Sequence, residues 1–295
     1  MSNTSQPTPI MAGVNTPLLF AVLLVVDSLH FVFARALLPH LPSEMSSFLV
    51  LGIAALEVGA YQAARGRLHL SAFREYWRFY TVIGVLVAAS TVIDYSAVKF
   101  IDPGTASLLG KSSIVFSLVL GVIWLRERLM PVELIGAGLA LAGAFIISFQ
   151  PGDFLRLGSL MVLVSTFLYA LHTAIVKRHG EGIEFGDFFL YRIASIAFFL
   201  LLFAGARGQL VWPTPISWLL VFVAGTVDVV ISRSLFYLSL RRMPMSIHTI
   251  ILTLSPVVTI GWSLLLFGEA PSALGIIGGT LIIMGVLLAT SRRWR

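Results

Sequence analysis

Long apolar runs separated by short polar links dominate the chain from about residue 17 to residue 290. A helix that crosses a bilayer needs about 20 mainly apolar residues, and helices are predicted because backbone groups in lipid must be hydrogen bonded within the segment. The runs also lack the strict alternation of a membrane barrel. The ten predicted spans cover residues 17–38, 45–64, 79–99, 104–124, 131–149, 157–177, 187–205, 216–240, 246–267 and 272–290.

The predicted spans form two groups of five that repeat at an offset of 142 residues. Seven pairs share this offset: His30 and His172, Arg35 and Lys177, Tyr95 and Tyr237, Lys99 and Arg241, Glu127 and Glu269, Gly136 and Gly278, and Gly143 and Gly285. Because each group has an odd number of spans, the second group is predicted to insert upside down. Such inverted repeats are typical of carriers that bind solute at the repeat interface.

The distribution of Lys and Arg predicts the orientation. Thirteen of these residues fall on one side of the predicted spans and three, Lys99, Arg156 and Arg207, fall on the other. Positive links face the cytoplasm. The sequence therefore predicts an all-α membrane protein of ten transmembrane helices in two inverted five-helix repeats, with both termini cytoplasmic. The predicted parts are a polar tail (1–16), a first repeat (17–149), a second repeat (157–290) and a basic tail (291–295).

Composition supports a membrane protein and excludes several other classes. Hydrophobic residues make up 58% of the chain and charged residues 12%, whereas soluble domains average about 25% charged. The net charge of +6 is scattered among the links, which argues against a nucleic-acid surface. The chain has no cysteine, no Walker A sequence and no H-E-x-x-H motif. We therefore expect a non-enzyme without cofactor or metal.

The fourth and fifth predicted spans carry the same motif in each half. DPGTASLLGKSSIVFSLVLGVIWLRERLMPVELIGAGLALAGAFII in the first half matches MSIHTIILTLSPVVTIGWSLLLFGEAPSALGIIGGTLIIMGVLL in the second. Each has a span rich in small residues, then a glutamate, a short turn, and two glycines seven residues apart. This arrangement resembles the EamA-type repeat of the drug/metabolite transporter superfamily, and the resemblance covers nearly the whole chain.

The resemblance implies a ten-helix inverted-repeat carrier with a central cavity, which exports or takes up small metabolites such as amino acids, often with ion or proton gradients. The superfamily moves very different solutes. This chain departs from its usual pattern at Asp27-Ser28, where Trp-Gly is usual, at Val50, where an arginine is usual, and at Ile114, where a proline is usual. The second half retains Arg192 and Pro256. These differences indicate an asymmetric cavity.

Asp27 and His30 are the first candidates for function, because ionisable residues inside a bilayer are costly and usually face a cavity or a partner. They are three residues apart and so share one helix face. A carboxylate beside an imidazole can exchange a proton near neutral pH. The pair is predicted to bind a cation or to couple transport to protons, and a hydrogen-bonded pair that only fixes helix packing remains the alternative.

Asp94 and Lys111 lie at similar depths in the hairpin of the third and fourth spans. A salt bridge between them would hold the hairpin together. In the functional alternative, Lys111 binds a substrate carboxylate when Asp94 releases it. Both interpretations remain open.

Further substrate-binding candidates lie in the second half: Tyr169, His172, Asp228 and Trp262. Two buried bases, Arg192 and Arg233, lie in the seventh and eighth spans. Tyr169 and His172 repeat the spacing of Asp27 and His30, with tyrosine in place of the acid. For Tyr169, His172 and Trp262, packing is the alternative to solute contact.

A last group of residues is predicted to be structural. Pro256 is expected to kink the ninth span at its middle. Glu127 and Glu269 are expected to fix turns at helix ends. Gly136, Gly143, Gly278 and Gly285 are expected to serve as hinges and helix contacts.

The sequence as a whole predicts a secondary active transporter that moves an amino acid, aromatic or apolar, across a plasma membrane of the bacterial inner-membrane type, as an exporter. The alternative is a proton-coupled transporter of organic cations, quaternary ammonium compounds or drugs. The expected partners are the solute, the lipid bilayer and protons as coupling ions, with no nucleic acid. Whether the chain is a monomer or a homodimer stays open.

Overall fold

A computed structural model describes residues 16–124, 130–148, 153–180, 182–240, 252 and 254–290. The described residues of the first half form α1 (Thr16–Asp27), α2 (His30–Leu37), α3 (Ser43–Ala64), α4 (Leu70–Glu75), α5 (Trp77–Ala97), α6 (Pro103–Gly110), α7 (Ser113–Ile123) and α8 (Pro131–Ser148). Those of the second half form α9 (Asp153–His179), α10 (Phe185–Ala206), α11 (Pro215–Ala224), a π-helix (Gly225–Ile231), α12 (Ser232–Leu240), α13 (Ser255–Phe267) and α14 (Ala273–Thr290). These ranges contain no strand, as expected for the all-α class.

Six helices in the described ranges are long and apolar enough to cross a bilayer: Ser43–Ala64, Trp77–Ala97, Pro103–Ile123, Leu157–His179, Phe185–Ala206 and Pro215–Phe236. Shorter apolar helices cover Pro131–Ile147, Ser255–Phe267 and Ala273–Ala289. Large apolar side chains lie on the outer surface, with Leu56, Ile123 and Leu265 each at least 74% exposed. Such a surface is unfavourable in water and favourable in lipid. The chain is a multi-pass membrane protein.

Leaving out the ninth span, whose first part lies mostly outside the described residues, three of the predicted spans are not regular α-helices from end to end. The first is interrupted at Ser28 and Leu29 between α1 and α2, and the fourth at Lys111 and Ser112 between α6 and α7. The Ser28 hydroxyl donates to the carbonyl of Val25 at 2.6 Å, so it competes with the helical hydrogen-bond ladder. The eighth contains the π-helix. The hydropathy pattern predicted each of these spans as one continuous helix, although ionisable residues Asp27, Lys111 and Asp228 lie at or beside the irregular segments.

The two halves pack helix against helix. α3 packs on α10, α5 on α9, α6 on α13 and α8 on α14, so each pair joins one helix of each half. In the α8–α14 pair the backbones touch at glycines. A Cβ atom added to Gly136 would lie 2.5 Å from the Gly285 carbonyl oxygen, and one added to Gly143 would contact the Gly278 carbonyl. Small residues allow this close approach, which stabilises helix pairs in lipid by dispersion.

Pro256 lies near the start of a described helix. Helix α13 begins at Ser255, so Pro256 lies in its first turn. The predicted kink in the ninth span stays a prediction, because most of the first half of that span lies outside the described residues. The first turn of a helix needs no partner for the missing N–H of proline, which makes this position favourable.

Candidate functional site

A cavity of about 240 Å³ lies at the centre of the molecule, where the three helix interruptions meet. Its walls come from both halves, because α2, α5 and α6 face α9, α10 and the π-helix. Six of the predicted substrate-binding residues line it: Asp27, His30, Asp94, Lys111, Tyr169 and Asp228. The volume lies just below the range of about 300–1,000 Å³ that is usual for ligand pockets, which fits a small solute.

His30 and Asp228 form a close pair across the two halves. His30 Nδ1 lies 2.8 Å from Asp228 Oδ2, and the aspartate side chain is only 4% exposed. His30 is the first residue of α2, and Asp228 lies within the π-helix. π-Helices are rare in proteins as a whole, and those that do occur are often found at functional sites. The His30 ring also packs edge-on against Tyr95. His30 therefore pairs with Asp228 and not with the predicted partner Asp27, and the helix is interrupted at Ser28 and Leu29, between the two predicted partners.

Asp27 instead lies between two cations. Its Oδ2 is 3.9 Å from Lys111 Nζ, and its Oδ1 is 3.8 Å from Arg233 Nη1. These separations are longer than a charge-assisted hydrogen bond of about 2.7–2.9 Å, so the aspartate attracts both cations without a tight bond to either. The predicted Asp94–Lys111 salt bridge is corrected here, since Lys111 pairs with Asp27. Asp94 and Lys111 lie at similar depths in the hairpin, but depth alone does not determine how each helix is rotated about its axis and therefore which side chains meet.

Two arginines complete the charged lining. Arg192 and Arg233 line the cavity together with Lys111 and with the three acids Asp27, Asp94 and Asp228. Three formal positive charges and three formal negative charges therefore surround the cavity, apart from any proton on His30. The sequence had marked both arginines as buried bases without assigning them a site. Their depth within apolar spans was the signal that could have done so.

His172 and Trp262 are not among the residues that line the central cavity. His172 lies behind the wall, where its Nε2 accepts a hydrogen bond from Arg192 Nε at 3.3 Å. The Tyr169 and His172 rings are 5.2 Å apart, and Tyr169 itself faces the cavity. His172 therefore orients Arg192. The positions of His172 and Trp262 agree better with the alternative interpretation, in which these two side chains pack within the protein and do not contact the solute.

Ion pairs join the two halves beyond the cavity. Arg35 Nη1 donates to the Val98 carbonyl at 2.7 Å, and its Nη2 donates to Glu269. Glu269 therefore links α2 to the turn between α13 and α14, a role wider than that of a local turn residue. Glu127, which matches Glu269 in the sequence repeat, lies outside the described residues. Arg207 and Glu44 form a second pair at 2.9 Å on the same side.

A histidine and two carboxylates lie close together on the side of the molecule away from these two ion pairs, near the Arg-rich link between α3 and α5. His69 Nδ1 lies 3.2 Å from Asp187 Oδ2, and Glu184 completes a group whose polar atoms lie within 4.8 Å of one another. The Tyr191 hydroxyl donates to the His69 carbonyl at 2.9 Å. The sequence predicted no metal ligand here, since His69 and Asp187 are far apart in the chain. The hydrogen bonds connect the link after α3 to the start of α10.

The fold and the central cavity define a class of membrane protein in which two similar halves enclose a charged cavity large enough for a small solute. Residues 15–149 and again 156–291 match the EamA-like transporter family. The chain belongs to this family.

Curated relatives carry transporter names. The chain is 22% identical over 73% of its length to an uncharacterized transporter of Synechocystis, sll1164, and 27% identical over 65% to a probable terminal-alkyne amino-acid exporter of Streptantibioticus cattleyicolor. The matches span 66% and 65% of these relatives, slightly under two thirds of their length. A crystal structure of a protein 21% identical in sequence superimposes with a TM-score of 0.67 and covers 95% of this chain and 99% of that one, which supports the fold.

Proposed function

We propose that the chain exports an amino acid with an apolar side chain by alternating access. In this proposal, ten helices in two inverted repeats cross a plasma membrane, and both termini lie in the cytoplasm. The proposed class of solute rests on one observation: Asp27 lies between the cations Lys111 and Arg233 inside one small cavity.

The charges around Asp27 suit a zwitterion. The two cations lie 3.8–3.9 Å from the aspartate, so a carboxylate of the solute can replace Asp27 as their partner. The released Asp27, or Asp94 in the same lining, then binds the ammonium group of the solute. The three acids and three bases of the lining remain balanced when a net-neutral solute binds. A cation or an anion alone would leave one buried charge unpaired, which is costly in a low-dielectric site.

Apolar and aromatic groups in the same lining suit the side chain of such a solute. Phe31, Leu51, Val87 and Ile196 face the cavity, and Tyr169 adds a ring with a polar tip. The name of the Streptantibioticus relative, an amino-acid exporter, agrees with this class of solute.

Proton coupling is assigned in this proposal to the His30–Asp228 pair. The pair joins the two halves through one hydrogen bond, and each half contributes one member. Protonation of both groups would remove the charge on Asp228 that attracts the imidazolium. The pair would then loosen and favour a different arrangement of the halves.

Counterflow in proteoliposomes tests the carrier mechanism. Vesicles preloaded with an unlabelled amino acid such as phenylalanine should take up the labelled compound faster than empty vesicles. A channel or a sensor would give equal uptake in both. Competition by tetraethylammonium at least as strong as that by phenylalanine would instead favour the organic-cation alternative.

A further inference from the structure

A second cavity lies beside the central one, toward the Arg-rich side of the molecule, and we call it the basic-side cavity. It has a volume of about 700 Å³, within the usual range for ligand sites. α3, α10 and the segment from the π-helix into α12 enclose it. Its lining includes Glu57, Tyr61, Arg67, Glu184, Phe189 and Ser234.

Carboxylates and aromatic rings dominate the chemistry of the basic-side cavity. Glu57 and Glu184 contribute two acids, whereas Arg67 contributes one base, so the lining carries a formal charge of −1. Tyr61 and Phe189 add aromatic rings to the same lining, and the Tyr61 ring already lies 5.3 Å from the Arg65 guanidinium, as a ring that attracts cations would. Ammonium groups bind well where a carboxylate and aromatic faces converge, because both attract positive charge. The lining therefore selects an amine with an apolar body over an anion.

Glu57 is held in place from the second half of the chain. Its Oε1 accepts a hydrogen bond of 2.7 Å from the Thr226 hydroxyl in the π-helix. A carboxylate in a predominantly apolar helix is costly unless it has such a partner or a ligand. The fixed carboxylate faces a cavity large enough for a solute, which is the arrangement of a preorganised binding site.

One short segment contributes residues to both cavities. Asp228, Val229 and Arg233 face the central cavity, whereas Val230 and Ser234 face the basic-side cavity. Consecutive residues of the π-helix and α12 thus line different sites. A π-helix has a looser hydrogen-bond pattern than an α-helix and is often found where a helix changes its geometry at a functional site.

We propose that the basic-side cavity is a second binding site for an ammonium group with an apolar body, with Glu57 as its anionic partner. The π-helix and the start of α12 contribute residues to both linings. This second site rests on the proposed transport function insofar as the ammonium belongs to the transported solute. The same chemistry is offered by the ethanolamine headgroup of a phospholipid.

The absence of cysteine from the sequence gives a direct test. Ser234→Cys places a single thiol in the basic-side cavity, and its rate of reaction with N-ethylmaleimide reports occupancy. In phosphatidylglycerol vesicles, phenethylammonium at ten times its Kd should slow the reaction about tenfold. Phenylalanine, which also carries an ammonium group, should protect, and 3-phenylpropionate should not. Equal protection by 3-phenylpropionate, or no protection by phenethylammonium, would overturn the proposal.

Variants in the Ser234→Cys background assign the effect to Glu57. Glu57→Gln should weaken protection by phenethylammonium about tenfold, because a charge-assisted partner is lost. Glu184→Gln provides a second test if the first variant does not fold. Glu75→Gln, which changes a glutamate of α4 outside both linings, should leave protection unchanged. Unaltered protection in both folded cavity variants would remove the carboxylates from the site.

Vesicle composition separates the two sources of ammonium. If a lipid headgroup occupies the site, phosphatidylethanolamine vesicles should slow the labelling of Ser234→Cys without added probe, and Glu57→Gln should restore it. Counterflow on the same preparation separates this inference from the transporter proposal. Counterflow without protection refutes the second site alone, and protection without counterflow supports the site and refutes the carrier mechanism.

Discussion

His30 Nδ1 and Asp228 Oδ2 lie 2.8 Å apart, although 198 residues separate them in the chain. The pair connects the break between α1 and α2 with the π-helix, so two irregular segments from opposite halves meet through one hydrogen bond. Irregular backbone within membrane proteins is tolerated where it lines a cavity or is covered by protein. Here it brings ionisable groups together at the centre of the molecule.

Removal of either member of this pair should flatten the pH dependence of transport. His30→Gln and Asp228→Asn should each slow proton-driven transport about tenfold or more, because a buried charged group loses its partner. The double variant should be no slower than the worse single variant if the two residues act as one unit. Initial rates in proteoliposomes between pH 5.5 and about 8, the range over which histidine changes charge, measure this.

The matched control for His30→Gln is His40→Gln. His40 is an exposed histidine in the turn after α2, outside both cavity linings. Its replacement should leave both rate and pH profile unchanged. Retention of a normal profile in folded Asp228→Asn protein would remove the pair from proton coupling.

Lys111→Met should weaken the binding of carboxylate-bearing solutes more than the binding of simple cations. Lys111 lies 3.9 Å from Asp27 in the central cavity, so its loss removes a cation available to a solute carboxylate. A lost charge-assisted contact corresponds to about a tenfold to hundredfold increase in Kd. Equilibrium binding of phenylalanine and phenethylammonium to purified protein measures the difference. Lys99→Met, an exposed lysine between α5 and α6, is the control. Equal weakening of both solutes would make Lys111 structural.

The glycine contact between α8 and α14 should be intolerant of a methyl group. Gly143→Ala would bring a Cβ atom against the Gly278 carbonyl, with Ile282 N only 2.8 Å away. Overpacking of this kind costs about 1–3 kcal/mol and should lower the thermal midpoint in detergent. Gly138→Ala lies in the same helix and meets nothing within 4 Å, so its stability should be unchanged or slightly raised. Equal midpoints for the two variants would contradict a close helix contact.

The Arg35–Glu269 pair should restrict access to the central cavity from its side of the membrane. Arg35→Gln removes the contact to Glu269 and should speed the labelling of a single Ser107→Cys by a membrane-impermeant thiol reagent. Arg207→Gln is the control, because Arg207 is 70% exposed and an exposed pair contributes little. Identical labelling rates in the Arg35 variant and the parent would exclude a closing role.

Several expectations from the sequence concern properties that each helix carries by itself. The apolar runs predicted most of the helices, with bounds that differ by a few residues, as at predicted span 157–177 and observed α9 at 153–179. The depth of Asp27, Asp94, Lys111 and Asp228 within these runs predicted that they would be enclosed, and all four line the central cavity. Burial of an ionisable group in an apolar segment is costly, so the sequence alone marks it as unusual.

Pairing could not be predicted in the same way. The sequence offered Asp27 with His30 and Asp94 with Lys111, whereas the structure has His30 with Asp228 and Lys111 with Asp27. Helical spacing assumes an unbroken helix, whereas the helix is interrupted at Ser28 and Leu29, between Asp27 and His30. Equal depth likewise leaves the rotation of each helix undetermined.

The sequence by itself determined that this protein is helical, belongs in a membrane and contains two similar halves, because hydropathy and repetition are properties of the chain. Only the tertiary structure decided which charged residues pair and that His172 binds Arg192 outside the cavity lining. It also decided that residues of one π-helical segment line two cavities. Those features depend on breaks in the helices and on the rotation of one helix against another. The packing of both halves sets them, and no local stretch of sequence encodes them.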